Sequence, residues 1–294
     1  MSRLEWLESR RNGIGSSDAA AVLGLSPWSS ALDVYLSKVQ PAKAGAMAPP
    51  LEWGLRLEPV LAATIQDRYG WVLKKPPTQT HAEIPYLLAS PDRITESLEL
   101  IELKTTSRPD GWGEVETAEV PEHYWVQVQH QLAVAASHNP DVRTCWVFVL
   151  IGQCDFRRYR VDLDPEYLPT VAEPLREFWG LVESRTPPEP DWDHAGTVAA
   201  LNRLYVPSPG TVADLGGVGL SLADEYAAAA AEEKAAAERK EIAKAKLIAE
   251  LREAETGTLP DGRRVVRKER TRAGYTVGPG TYCDFRILKA KGQK

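Results

Sequence analysis
Three residues able to do chemistry lie close together in the chain: Asp92, in Ala89-Ser90-Pro91-Asp92-Arg93, and Glu102 and Lys104, in Ile101-Glu102-Leu103-Lys104-Thr105. Two carboxylates and an amine can hold a hard divalent cation through oxygen ligands and orient a water beside it. Phosphodiester hydrolysis needs that set, because it requires an activated water, neutralisation of growing phosphoryl charge and help for the leaving alkoxide. Alternate side chains of a strand share a face, so Glu102 and Lys104 would point one way and Ile101 and Leu103 the other. Asp92 would arrive from a turn after the apolar run Ile84-Pro85-Tyr86-Leu87-Leu88-Ala89. Thr95-Glu96-Ser97 reads as the hairpin turn between the two carboxylates.

A lone Glu-x-Lys on a strand is more often a solvated face than an active site. Three further segments, in order along the chain, change that balance. Trp53-Gly54-Leu55-Arg56-Leu57-Glu58-Pro59 places Glu58 on a helix that continues through residues 60–65. Val120-Pro121-Glu122-His123-Tyr124-Trp125 opens another helix, with Gln127, Gln129 and Gln131 at alternate positions. Near the start, Arg10-Arg11-Asn12-Gly13-Ile14-Gly15-Ser16-Ser17-Asp18 runs from basic residues through a glycine-rich turn into a helix.

Over roughly residues 5–185 these segments resemble the YqaJ-like viral recombinase family, the lambda-exonuclease type of PD-(D/E)XK nuclease. The resemblance implies an α/β fold, with a mixed central sheet flanked by helices. It also implies a Mg2+-dependent 5′ to 3′ exonuclease that degrades one strand of duplex DNA from its ends, Mn2+ substituting for Mg2+. The 3′ single strands would feed phage-type recombination through an annealing partner, and the chain would act as a homo-oligomer, in that family a trimeric ring. Carried over residue by residue, Asp92, Glu102 and Lys104 fall on the catalytic triad, Glu58 on the helix carboxylate and Gln127 on the active-site glutamine. Asp92, Glu102 and Glu58 would be the metal ligands, and Arg10 and Ser17 the binding elements for the terminal 5′ phosphate.

The chain departs from the pattern at Arg93, where the family commonly has Gly or another small residue. A cation there would contact DNA or project into solvent. Spacing alone does not choose among the three glutamines, nor between Arg10 and Arg11; the resemblance selects Gln127 and Arg10. Glu58 could equally be a surface carboxylate pairing with Arg56. Ser17 stands where a helix would begin, a position suited to an N-cap and to anion binding by free amides. His81, His123, His130, His138 and His194 show no metal-ligand spacing and read as ordinary surface or helix residues.

Length and composition set the bounds. The 294 residues, 43% hydrophobic, suffice for one large or two smaller domains. No apolar run reaches the ~18 residues of a membrane span, and Met1-Ser2-Arg3-Leu4-Glu5-Trp6 has no signal-peptide character, which points to the cytoplasm, for a phage-type protein that of a bacterial host. Cys145, Cys154 and Cys283 neither pair evenly nor cluster, as expected in a reducing compartment, and are too few for the iron–sulfur nucleases of this class. The net charge of −6 is unevenly spread. Residues 1–194 carry 18 Lys and Arg against 28 Asp and Glu, whereas residues 257–294 carry ten against three. A basic tail adds phosphate affinity through counterion release, while an acidic body limits binding to a lined channel.

The expected layout is a nuclease core over residues 1–185, a Pro/Gly-rich linker or arm over 186–220 and an accessory element over 221–294. In the core, helices fall at residues 4–11, 18–23, 31–38, 53–69, 121–137 and 165–185, and residues 41–50 form a loop. Strands fall at 71–75, 79–89, 98–105 and 144–151. The stretch Cys145-Trp146-Val147-Phe148-Val149-Leu150-Ile151 has the continuous apolarity of a strand buried on both faces. The accessory part opens with a capping box at Ser221 and Asp224 and an Ala-, Glu- and Lys-rich helix to about residue 255. Residues 264–271 and 282–288 would then pair as a small basic hairpin.

Two other function classes fit the same residues. One is a structure-selective or sequence-specific endonuclease on the same core, which would cut closed circular DNA. The other is a non-catalytic DNA-binding scaffold, against which the intact Asp92, Glu102 and Lys104 argue.

Overall fold
The computed structural model describes residues 3–42 and 48–269. The chain begins with α1 (Arg3–Ser9), a 3-10 turn (Arg10–Asn12), β1 (Ile14–Gly15), α2 (Ser16–Val22), α3 (Ala31–Val39) and α4 (Pro49–Tyr69). Five short strands follow: β2 (Leu73–Lys74), β3 (Gln79–Thr80), β4 (Leu87–Ala89), β5 (Arg93–Thr95) and β6 (Leu100–Thr106). Then come α5 (Glu122–His138), β7 (Thr144–Ile151), β8 (Asp155–Asp162), α6 (Tyr167–Glu183) and α7 (Thr197–Leu204).

A five-stranded sheet in the order β2-β5-β6-β7-β8 forms the centre. Its β6–β7 pair is parallel and the others antiparallel, so the sheet is mixed, with α5 as the crossover between the parallel neighbours. The central strands are buried on both faces. On one side Ile101 and Leu103 of β6 and Phe148 of β7 pack against Leu61, Ala62 and Ile65 of α4. On the other, Leu100, Val147 and Val149 pack against Val128, Leu132 and Ala135 of α5. Two covering helices explain why β7 reads as an unbroken apolar run.

The expected single strand over 79–89 is instead two, with β3 and β4 paired antiparallel. Pro85 lies between them, and having no N–H it cannot continue a ladder. The turn is closed by His81 N–H to the Leu87 carbonyl at 2.9 Å and Leu87 N–H to the Ile84 carbonyl at 3.0 Å. β4 also pairs in parallel with β1, giving a second sheet ordered β1-β4-β3. Gly13 permits that approach, because a Cβ there would lie 2.6 Å from the Tyr86 carbonyl oxygen.

Two compact units divide at residue 206, as Met1–Val206 and Pro207–Lys294. Part of the segment expected as an arm therefore packs with the core unit: α7 buries Thr197 and Ala200, and Arg203 pairs with Asp33 of α3 at 2.6 Å. The second unit holds α8 (Gly216–Leu251), β9 (Thr256–Thr258) and β10 (Arg264–Val266). α8 opens before the expected Ser221, since Asp214 Oδ1 accepts the Gly216 N–H at 3.0 Å and satisfies the first turn from further upstream. β10 pairs antiparallel with β9; residues 282–288, its expected hairpin partner, lie outside the described residues. The intervening Leu259-Pro260-Asp261-Gly262-Arg263, with Gly262 at φ +83, closes the hairpin locally. Among the described residues no helix is long and apolar enough to cross a membrane.

Candidate active site
β6 carries Glu102 and Lys104 on the face that α5 covers, and the pleat separates them from Ile101 and Leu103 as alternation requires. Asp92 sits immediately before β5, which pairs with β6. Its Oδ2 accepts the Leu103 N–H at 2.7 Å, so the carboxylate is pinned to the strand that bears the other two residues. The turn between β5 and β6 is closed by Thr95 N–H to the Glu99 carbonyl at 2.9 Å, with Leu98 at φ 62.

Glu102 is 4% exposed and holds three side-chain donors. Its Oε1 accepts from Lys104 Nζ and from Gln127 Nε2, each at 2.5 Å, and its Oε2 accepts from Gln131 Nε2 at 2.8 Å. Lys104 Nζ also donates to Gln127 Oε1 at 3.0 Å and lies 4.7 Å from the Tyr124 ring centroid. Burial alone would lower the Lys104 pKa, but the charges of Glu102 and Asp92 outweigh it and hold the ammonium above its ordinary range. Asp92 is pushed up to about 8, first by burial and then by the charge of Glu102.

Two buried carboxylates side by side, Asp92 and Glu102, make a donor set suited to a hard divalent cation, whose charge would offset both burial and repulsion. Glu58 of α4 lines the same cavity, but its carboxylate is turned to Arg93 at 2.6 Å, with Lys75 at 3.4 Å. Among the described residues no three His, Cys, Asp or Glu side chains are grouped as a ready metal site.

Arg10 and Ser17 enter the cavity from the 3-10 turn and the first turn of α2. Arg10 Nη2 donates to Ser17 Oγ at 2.8 Å and to Asp18 Oδ1 at 2.7 Å. Its guanidinium lies over the Trp6 ring at 4.9 Å and close to Gly15, where a Cβ would stand 3.1 Å from it. Arg11 points elsewhere, to Glu8 at 2.7 Å and the Lys38 carbonyl at 3.0 Å. Ser17 is not the helix cap. α2 starts at Ser16, and Asp18 accepts the Gly15 N–H at 3.0 Å.

The cavity has a volume of ≈ 570 Å³, with Asp92, Glu102, Lys104, Gln127, Arg10 and Ser17 all on its wall. Four residues support the side chains on that wall; sequence reading leaves Gln131 and Arg93 without a fixed role and does not single out Asp18 or Lys38. Gln131 shares Glu102 with Gln127, while Gln129 faces away to the Asp162 carbonyl at 2.9 Å and the Asp164 N–H at 2.9 Å. Helical spacing carries that signal, since positions 127 and 131 share a face and 129 does not. Asp18 and Lys38, paired at 2.7 Å and both largely buried, anchor Arg10; Lys38 Nζ also donates to its carbonyl at 2.8 Å. Arg93 is the fourth. Neither solvent nor an open surface receives it, because its side chain is 14% exposed and paired with Glu58. Among the histidines, His130 is a residue of helix α5, buried at 1% exposure, and His81 is buried as well.

Residues 5–138 match the YqaJ-like viral recombinase domain family. A Bacillus subtilis (strain 168) relative, the uncharacterized protein YqaJ, is 36% identical over 182 residues, which is 61% of this chain and 56% of the relative. The chain thus spans about half the length of the curated relative it matches. Among solved structures, the alkaline exonuclease LHK-Exo of Laribacter hongkongensis, in complex with dAMP, superposes with a TM-score of 0.50. Its sequence identity is 17%, over 62% of this chain and 93% of that one. A Eubacterium rectale protein superposes with a TM-score of 0.51 at 10% identity, over 74% of this chain and 98% of that one. At these identities the likeness is one of fold: a mixed sheet flanked by helices.

Proposed function
We propose that this chain, with its YqaJ-like viral recombinase domain over residues 5–138, is a Mg2+-dependent 5′ to 3′ exonuclease acting on one strand of duplex DNA ends. The observation that carries this reading is the single cavity in which Asp92, Glu102, Lys104 and Gln127 meet Arg10 and Ser17. A cation-binding pair of carboxylates and an anion-binding pair of donors, on one wall, suit a phosphodiester whose strand end carries a phosphate. The dAMP bound to LHK-Exo is a mononucleotide of the kind such a reaction releases.

Asp92 and Glu102 would hold the divalent cation, with Glu58 assisting directly or through water. When bound, the cation supplies charge neutralisation at the phosphoryl group and lowers the pKa of the attacking water. Lys104, an ammonium tied to Glu102 and Gln127, orients that water by donation. Gln127 fixes both partners at once, accepting from Lys104 and donating to Glu102. Arg10 and Ser17 take the terminal 5′ phosphate and set the register of cleavage by contacts that do not read bases. The 3′ single strands left behind suit an annealing protein, and a homo-oligomeric ring would enclose the product strand.

The test is Mg2+-dependent digestion of linear duplex DNA bearing a 5′ phosphate or 5′ hydroxyl, labelled at either end, beside closed circular DNA. Mononucleotide release from the phosphorylated 5′ strand with circles intact is the expected result, and Asp92→Ala and Glu102→Ala should abolish it while the protein stays folded. Cutting of circles would transfer the site to an endonuclease. Full activity in either alanine variant would falsify the catalytic assignment.

A further inference from the structure
Arg93 stands directly after Asp92, and its Nη1 donates to Glu58 Oε1 at 2.6 Å and to the Asp92 carbonyl at 2.5 Å. Both partners of the ion pair are largely withdrawn from solvent, Arg93 at 14% and Glu58 at 17% exposure. Lys75 adds an outer contact to Glu58 at 3.4 Å, but it is 69% exposed. Glu58, Asp92 and Glu102 line one cavity, so a divalent ion entering it meets a Glu58 whose charge is already matched. Charge-assisted hydrogen bonds of this length are strong, and a carboxylate engaged in one offers less to a second cation.

We propose that Arg93 is a resident counter-cation that competes with the divalent ion for Glu58. Arg93 holds Glu58 through Oε1 and, by matching its charge, weakens the carboxylate as an oxygen donor, so the chain's affinity for the ion is set below what its three carboxylates could give. The proposal rests on the reading of Asp92 and Glu102 as cation ligands.

Mn2+ titrated into the full-length, metal-stripped protein without DNA, followed by calorimetry and by the EPR signal of free Mn2+, tests it independently of turnover. Arg93→Ala should bind Mn2+ roughly fivefold to tenfold tighter, the release of about one partly buried ion pair. Arg93→Lys, which keeps the charge but not the planar fork, should fall between Arg93→Ala and the native protein. The gain should vanish when Glu58 is neutralised, so that Glu58→Gln/Arg93→Ala matches Glu58→Gln alone. A gain of equal size in the Glu58→Gln background would mean that Arg93 acts only through general charge, and the competition would be overturned. Unchanged or weaker binding by Arg93→Ala would overturn it as well. Circular-dichroism melts accompany each variant, and Arg93→Gln replaces Arg93→Ala if the latter does not fold. Asp92→Asn separates the two levels. If it binds Mn2+ as the native protein does, the ligand reading fails and the proposal with it; if it loses Mn2+ while Arg93→Ala is unchanged, only the competition fails.

Discussion
Glu102 shows how one buried residue is held by its neighbours. Among the described residues three donors converge on its two oxygens, from Lys104, Gln127 and Gln131, and of these only Gln131 reaches Oε2. A hydrogen bond to a charged group contributes on the order of 1.5–3 kcal/mol, so Gln131→Leu should lower kcat roughly tenfold to a hundredfold, if Glu102 must keep its orientation in the reaction. Gln131→Glu, which sets a like charge against Glu102, should be worse. Gln129→Leu is the contrast, since it unpairs the Asp162 carbonyl and the Asp164 N–H and touches no residue of the catalytic group. It should cost about 1–3 kcal/mol of stability and leave kcat unchanged below the unfolding transition. Steady-state kinetics beside urea melts of the three variants would show whether the two kinds of glutamine separate in this way.

At the scale of elements, α5 does two jobs with different faces. Gln127 and Gln131 reach β6, whereas His130 is sunk near Asp18 of α2 and the Ile14 and Leu88 backbone of β1 and β4. Burial pushes His130 down to about 4, although Asp18 and those backbone groups favour its charged form. The folded pKa therefore lies below the unfolded value near 6.5, and between the two the unfolded chain binds the proton that the native chain refuses. Stability is full above 6.5 and is lost as pH falls toward 4, by on the order of 3 kcal/mol at the lower end. Asp18 adds a second step. Burial would raise its pKa, but Arg10 and Lys38 hold it at about 2, so its contribution is present above 3.8 and lost as pH falls below that. Urea midpoints measured from pH 7 to 4 should fall for the native chain relative to those of His130→Phe, a comparison that cancels the opposite contribution of Asp92, whose raised pKa adds stability as pH falls. Parallel midpoints for the two chains over this range would show that α5 does not bury a neutral imidazole.

For the molecule as a whole, charge is divided along the chain: an acidic body with the carboxylate-lined cavity, and a tail over residues 257–294 with ten basic and three acidic residues. If the tail binds phosphates, deleting residues 257–294 should flatten the slope of log duplex affinity against log salt by about 0.9 for each phosphate that the tail neutralises. Filter-binding or anisotropy at several salt concentrations gives both slopes. Parallel slopes would mean that the tail serves solubility or another partner. The division at Val206 also matters here, because α7 belongs with the core unit through Arg203 and Asp33.

Sequence determined the strand alternation of Glu102 and Lys104, the buried run of β7 and the main helices, because each depends on local period and side-chain type. It also placed Asp92 one turn before its partner strand. The split of residues 79–89 into β3 and β4 was harder to read, since the apolar run conceals a turn whose register is fixed by β1 across Gly13. Only the tertiary structure separated Arg10 from Arg11 and turned Arg93 inward to Glu58. Such choices belong to long-range pairs, Lys38 with Asp18 and Glu58 with Arg93, which meet across elements far apart in the chain. A local period fixes the face a residue occupies, but the ion pair it finds there is decided by which other element the core brings alongside.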